Sequence, residues 1–281
     1  MFSFFKTKAT LHYTSFLKLL VASHKFSNIM TKMSFISNLE RKLVHSFYLL
    51  PPDIHERQRF IASKISRNQK ILDVGGEQAI LQEIAQAKDY YQVNIADEIN
   101  QSPKYLKNNI KSLYYDGKKL PFKNESFDVV VCVDVLEHVS KKDRMDLIKE
   151  MLRVSRKKLI CSAPLGTKEH IAAEKDLYQA VSDKEQVAFL QDHIKHGLPS
   201  PTEIKKWQDN FDAELIFSGD CRWSNFLYKL QVSQLKIKGL SHLYFFFKLI
   251  FYALCNVFLY PFLFRKKYFS YTNRFYLVIK K

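Results

Sequence analysis

The sequence predicts a doubly wound α/β sheet, and three observations predict it. Ile71-Leu72-Asp73-Val74 is a short apolar strand that breaks into Gly75-Gly76. Phe127 to Val133 is a longer strand of near-continuous β-branched and aromatic residues, the pattern of a parallel strand buried on both faces. Helical periodicity alternates with these strands, which is the order of βαβ units.

Each element follows in turn. Residues 1–40 form a basic, apolar N-terminal extension in which Phe2, Phe4, Phe5, Phe16 and Leu17 alternate with Lys6, Lys8 and Lys18, and no acid appears before Glu40. Residues 41–220 read as the core. Its leading helix begins near Leu43; after the Pro51-Pro52 turn, Phe60, Ile61 and Ile65 share one side of the stretch Ile54–Ile65. His55 and Arg57, at the start of that stretch, read as solvated first-turn residues. After the first strand a helical stretch runs from Ala79 to Ala87, and a second strand ends near Asn94. Asp116-Gly117 is an acidic turn, and Leu120-Pro121-Phe122 precedes the strand at Phe127. A helix over Glu150–Val154 leads into a further strand, Lys158–Pro164. Phe275–Ile279 reads as the last strand, with an apolar helical insertion before it.

Taken together, the glycine turn, the acidic turn, the Leu-Pro-Phe and Ser126-Phe127-Asp128 pair, and the ending Leu136-Glu137-His138 resemble the class I S-adenosylmethionine-dependent methyltransferases, from about Arg57 to Pro164. The resemblance implies a Rossmann-like fold, a mostly parallel seven-stranded sheet with an antiparallel last strand, and S-adenosyl-L-methionine as cofactor. It implies that Asp73, with Gly75 and Gly76, holds the amino-acid end of the cofactor. Asn94 and Ile95 take the ribose position, Asp116 and Gly117 the adenine position, and Asp134 lines the cleft near the reacting methyl. Glu77 and Ala79 stand where the family carries further glycines, and Asn94 replaces the usual acid. An amide still hydrogen-bonds a hydroxyl, but without charge.

The glycines also have a physical reason: a tight strand-to-helix turn, with backbone amides free to approach a ligand at a helix N-terminus.

Acceptor chemistry is expected in the segment that follows Pro164 and ends in Gly197-Leu198-Pro199-Ser200-Pro201, where His170, Glu174, Asp176, Gln191, Asp192, His193 and His196 concentrate. His170 or His193 is the expected catalytic base, because imidazole titrates near working pH. His193 and His196, three apart, read as a hydrogen-bonded surface, and no metal is expected. The segment Asp192–Ser200 resembles methyltransferases found beside glycan and glycolipid assembly enzymes. Cys132, Cys161, Cys221 and Cys255 lack metal-ligand spacing and read as reduced thiols.

The net charge is +16 and the aromatic share 14%. Residues 221–281 hold eleven Lys and Arg and no Asp or Glu, together with the most apolar run, Leu243–Phe264, followed by Arg265-Lys266-Lys267. Twenty such residues could cross a bilayer, but a chain that returns to the sheet at residues 268–281 cannot cross once. Residues 221–267 are therefore expected as an interfacial or re-entrant hairpin on an anionic membrane surface. Nucleic acid would call for aromatics interleaved on a polar groove and is not expected. The functional expectation is methyl transfer to an oxygen or nitrogen of a lipid-linked or amphipathic acceptor by a cytoplasmic protein peripheral on the inner face of the membrane. A soluble small-metabolite methyltransferase and an inactive cofactor-binding scaffold are the alternatives.

Overall fold

The computed structural model describes residues 49–76, 80–95, 110–233 and 240–281. The N-terminal extension, the start of the leading helix near Leu43, and Glu77, Ala79, Asp97 and Glu98 lie outside these residues. Eight strands make one sheet: β1 (Lys70–Val74), β2 (Asp89–Ile95), β3 (Ile110–Tyr115), β4 (Phe127–Val133), β5 (Ser155–Pro164), β6 (Glu214–Ser218), β7 (Phe264–Arg265) and β8 (Arg274–Lys280). Their order is β3-β2-β1-β4-β5-β8-β6-β7. Strands β1 to β5 pair in parallel, and β8 runs antiparallel between β5 and β6. The expected seven strands become eight because the two residues Phe264 and Arg265 pair antiparallel with Phe217 and Ser218. That pairing is too short to carry a period-2 pattern.

Alternate residues of the central strands feed two cores. Leu72, Val74, Val130, Cys132, Leu159 and Cys161 face α3 (Arg144–Val154) and α6 (Pro201–Phe211), while Ile71, Val129, Val131 and Ile160 face α1 (Pro52–Ser63) and α2 (Ile80–Ala85). Each such side chain contributes about 1.5–3 kcal/mol when fully buried, and nearly all of these are. Three more helices complete this part of the chain: α4 (Lys168–Ala180), α5 (Phe189–His196) and α7 (Cys221–Val232). Side-chain caps start three of the helices: Thr167 accepts from the N–H of His170, Ser200 from Glu203 and Asp220 from Arg222.

The apolar run is not a hairpin. Helix α8 (Leu240–Leu254) continues through a π turn at Cys255–Leu259 and a 3-10 turn at Tyr260–Phe262 before β7. Its polar residues turn inward: Lys248 Nζ donates to the Ser233 carbonyl at 3.1 Å, and Asn256 Nδ2 to the Leu50 carbonyl at 2.9 Å. Read along the sequence, Lys248 and Asn256 interrupt the run. Because they face the protein, the outer stripe is apolar throughout.

Strand order reverses between β1 and β4, and a doubly wound sheet takes its ligand at the carboxyl ends of such strands.

Candidate active site

The carboxyl edge collects eight of the ten predicted site residues. Asp73 is on β1, with Gly75 and Gly76 in the turn that follows. Asn94 and Ile95 end β2, Asp116 and Gly117 follow β3, and Asp134 follows β4. Gly75 adopts φ +81° with its N–H on the Val93 carbonyl at 2.8 Å, and a Cβ there would meet Val135 Cγ2 at 2.3 Å. At Gly76 a Cβ would stand 2.1 Å from Asp73 Oδ2. Both positions thus require glycine, and its absence of side chain keeps the Asp73 carboxylate approachable.

Asp73 is buried and accepts a hydrogen bond from Tyr90 Oη at 2.6 Å. Burial pushes its pKa up to about 6, against the lowering effect of the tyrosine. A buried carboxylate of this kind is suited to a cationic ligand group. Asn94 Oδ1 accepts from the Ile95 N–H at 2.9 Å. Asp116 Oδ1 accepts from the N–H of Lys118 and Lys119 at 2.9 and 3.3 Å, bonds that hold its carboxyl below the usual range. The Ile95 side chain packs over Gly117, with Cδ1 3.2 Å from where a Cβ would stand.

Asp134 has φ +55°, a left-handed conformation that Asp tolerates better than most residues. Two arginines hold it: Arg57 Nε stands 3.0 Å from Oδ2, and Arg274 Nη1 donates to Oδ1. Arg274 is buried and also reaches Ser162 Oγ. Beside it, Glu56 accepts from Ser218 Oγ and Tyr276 Oη, and burial pushes the pKa of Glu56 up against the charge of Arg274. The expectation that His55 and Arg57 are solvated is therefore wrong. His55 is buried, with burial pulling its pKa down to about 4, and Arg57 pins α1 to the end of β4. Sequence reading missed the reason because the partner of Arg57 lies on a strand end that only the fold brings near.

His170 and His193 are not on that edge row. They belong to a buried cluster beyond the ends of β4 and β5. His193 Nδ1 stands 2.9 Å from Glu174 Oε1, His170 Nε2 is 3.8 Å from the same oxygen, and His170 Nδ1 lies 2.9 Å from the Leu165 carbonyl. Burial lowers the His170 pKa. Burial would raise that of Glu174, but the charges of His193, His170 and His138 and the His193 hydrogen bond outweigh it, so the carboxyl is lowered. The rings of His138 and His193 are 5.1 Å apart. Glu137, in the same 3-10 turn as His138, is buried, and burial together with the Asp134 charge pushes its pKa up to about 7. His196 contributes through its backbone. Buried Arg144 donates to the carbonyls of Val139, His196 and Gly197 and bonds both oxygens of Glu203 at 3.2 Å. It thereby locks α5 and α6 onto the Leu136–His138 turn.

Several solved structures are similar at low identity. Plantazolicin methyltransferase BpumL, in complex with a pentazolic desmethylPZN analog and SAH, is 14% identical with TM-score 0.47, over 95% of this chain and 96% of that one. A SAM dependent methyltransferase from Archaeoglobus fulgidus is 13% identical with TM-score 0.48, over 82% and 94%. The YcgJ protein from Bacillus subtilis is 12% identical with TM-score 0.44, over 80% and 97%. No curated protein matches. The family model described as methyltransferase domain matches residues 72–161, the segment from β1 into β5 that contains the glycine turn, the acidic turn and the Leu136–His138 turn. Residues 72–161 thus carry a methyltransferase domain, and the strand order around them is that of a Rossmann-like sheet.

Proposed function

We propose that this methyltransferase works from the cytoplasmic face of a membrane, on an oxygen or nitrogen of a lipid-linked or amphipathic acceptor. The observation that carries the reading is the outer stripe of α8 and the turns after it. Leu243, Phe247, Ile250, Leu254, Phe258 and Phe262 recur at helical spacing and are each more than half exposed. Leu243–Phe262 is long and apolar enough to cross a membrane, yet 28% of it is buried. Its inner side is tied to the protein along its length: Tyr244 and Lys248 to Ser233, Asn256 to Leu50, and Arg59 over the Tyr260 ring at 4.1 Å. A helix held in this way lies along the surface. Immersing those six side chains would yield about 5–10 kcal/mol, with Arg265, Lys266 and Lys267 beside them for anionic headgroups.

Asp73 and the Gly75-Gly76 turn would hold the amino-acid end of S-adenosylmethionine, Asn94 its ribose, and Ile95, Asp116 and Gly117 its adenine. When bound, the cofactor supplies a methyl on a positively charged sulfur. The protein's contribution is alignment of acceptor and methyl with exclusion of water. Asp134, fixed by two arginines, would form a rigid wall of the cleft. Between α1, α7 and the turns that follow α8 lies a cavity lined by Asp53, His55, Trp223, Asn256 and Tyr260, where part of an amphipathic acceptor would rest.

Labelled-methyl transfer into a total cell lipid extract, with Asp73→Ala as blank, tests the reading. Label in the organic phase is expected; label confined to water-soluble products would overturn it.

A further inference from the structure

We propose that Glu137, His138 and His193 bind one divalent transition-metal ion on the acceptor side of the cleft. Their ligand atoms all lie within 4.8 Å of one another. All three side chains are buried, at 1%, 4% and 6% exposure.

Two features point to a ligand rather than to a packed polar core. First, Glu137 Oε2 and His138 Nδ1 are buried with no hydrogen-bond partner among the described residues. The Asp192 carboxylate stands 3.4 Å from that nitrogen, close enough to pair with a protonated imidazole, so among the described residues Glu137 Oε2 is the atom left without any partner. A native interior rarely leaves a carboxylate oxygen so exposed to its own desolvation cost, and a bound cation removes the cost. Second, Glu174 accepts from His193 Nδ1 at 2.9 Å. That bond fixes the tautomer with the Nε2 lone pair free to coordinate, the outer-shell arrangement common to metal-binding histidines. His170 braces the same Glu174 oxygen from 3.8 Å, and Arg144 holds α5 to the Leu136–His138 turn.

Two imidazoles and one carboxylate suit Zn²⁺ or Fe²⁺, Mn²⁺ and Co²⁺ better than Mg²⁺ or Ca²⁺, and a three-ligand set leaves coordination positions open. Metal–ligand bonds of about 2.0–2.2 Å require the three side chains to close in by an ångström or so. Resting on the proposed methyl transfer to an oxygen, the open position would take the acceptor hydroxyl. Coordination lowers the pKa of a bound hydroxyl, as it does for bound water. The proton leaves to water, the acceptor oxygen forms its bond to the methyl, and the carbon–sulfur bond breaks to give a neutral thioether.

Binding is measured without cofactor or lipid, so its failure is distinct from failure of the membrane reading. Untagged full-length protein is stripped with chelator and titrated with Zn²⁺, then with Co²⁺, by calorimetry and visible absorption. One ion per chain is expected, with a Co²⁺ d–d band. Glu137→Gln and His193→Ala should weaken binding at least 100-fold, and Glu174→Gln about 10-fold. Zn²⁺ should raise the Tm of the parent but not of Glu137→Gln, which without metal should melt no lower than the parent. Absence of saturable binding, or equal affinity in Glu137→Gln, would overturn the site.

Discussion

At Asp73 two demands oppose one another, the cost of a buried charge and the proposed capture of the cofactor. Its folded pKa of about 6 stands above the unfolded value of 3.8. The folded state therefore holds the proton more tightly, and stability falls as pH rises from 3.8 through 6. Above pH 6 the buried charge costs about 1–3 kcal/mol. Asp73→Asn should accordingly raise the Tm of the cofactor-free protein at pH 8 and leave it nearly unchanged at pH 4. The same substitution should weaken S-adenosylhomocysteine binding by 100-fold or more, read by calorimetry, because an amide offers no charge to the ligand's ammonium group. In the parent, affinity should climb as pH rises from 5 to 7. Asp73 and the two glycines were legible in the sequence because their constraint is local, a strand end and a backbone turn. Arg57, Arg144 and Arg274 were not, since their partners stand at Asp134 and Glu203, and nothing in the neighbouring residues marks the pairing.

At the level of elements, the turn Leu136–His138 and helices α5 and α6 form a unit whose keystone is Arg144. Arg144→Met would leave Glu203 half-buried and without its ion pair. We expect a loss of about 3–5 kcal/mol in urea unfolding, the range for breaking a buried pair from one side. Arg144→Met with Glu203→Gln should recover part of it, because no uncompensated charge remains. Ser200→Ala removes the cap at Glu203 N–H, 3.2 Å away, and an exposed bond to Thr202 Oγ1, and should cost about 1 kcal/mol. Periodicity made β1, β4, β5, β8 and α1 readable, and the apolar content of α8 equally so. The shape of α8 was not readable: Lys248, Asn256 and Pro261 look like breaks in a linear sequence. Once the helix is seated, Lys248 and Asn256 are inward hydrogen-bonding positions and Pro261 falls in the 3-10 turn after the helix.

The whole molecule segregates charge, with every acid before residue 221 and eleven bases after it. That asymmetry has no bearing on the sheet, which is held by apolar strands, so its consequence lies in how the molecule meets other surfaces. A stripe of six apolar side chains and a basic rim act over different ranges. Burial is insensitive to salt, while attraction between lysines and anionic lipid, about 1 kcal/mol per residue, is screened beyond about 10 Å at 0.1 M ionic strength and beyond about 3 Å at 1 M. The two contributions can therefore be separated on one set of vesicles. At low salt, flotation with phosphatidylglycerol vesicles should be reduced about tenfold or more by Lys266→Glu with Lys267→Glu, and by Phe247→Ser with Phe258→Ser. At 1 M salt the lysine pair should match the parent, whereas the phenylalanine pair should remain impaired. The fold of both variants is checked by an unchanged Tm, since Lys266, Lys267, Phe247 and Phe258 are exposed. If the phenylalanine pair floats as well as the parent at both salt concentrations, α8 does not bind lipid, and the stripe must be covered by protein.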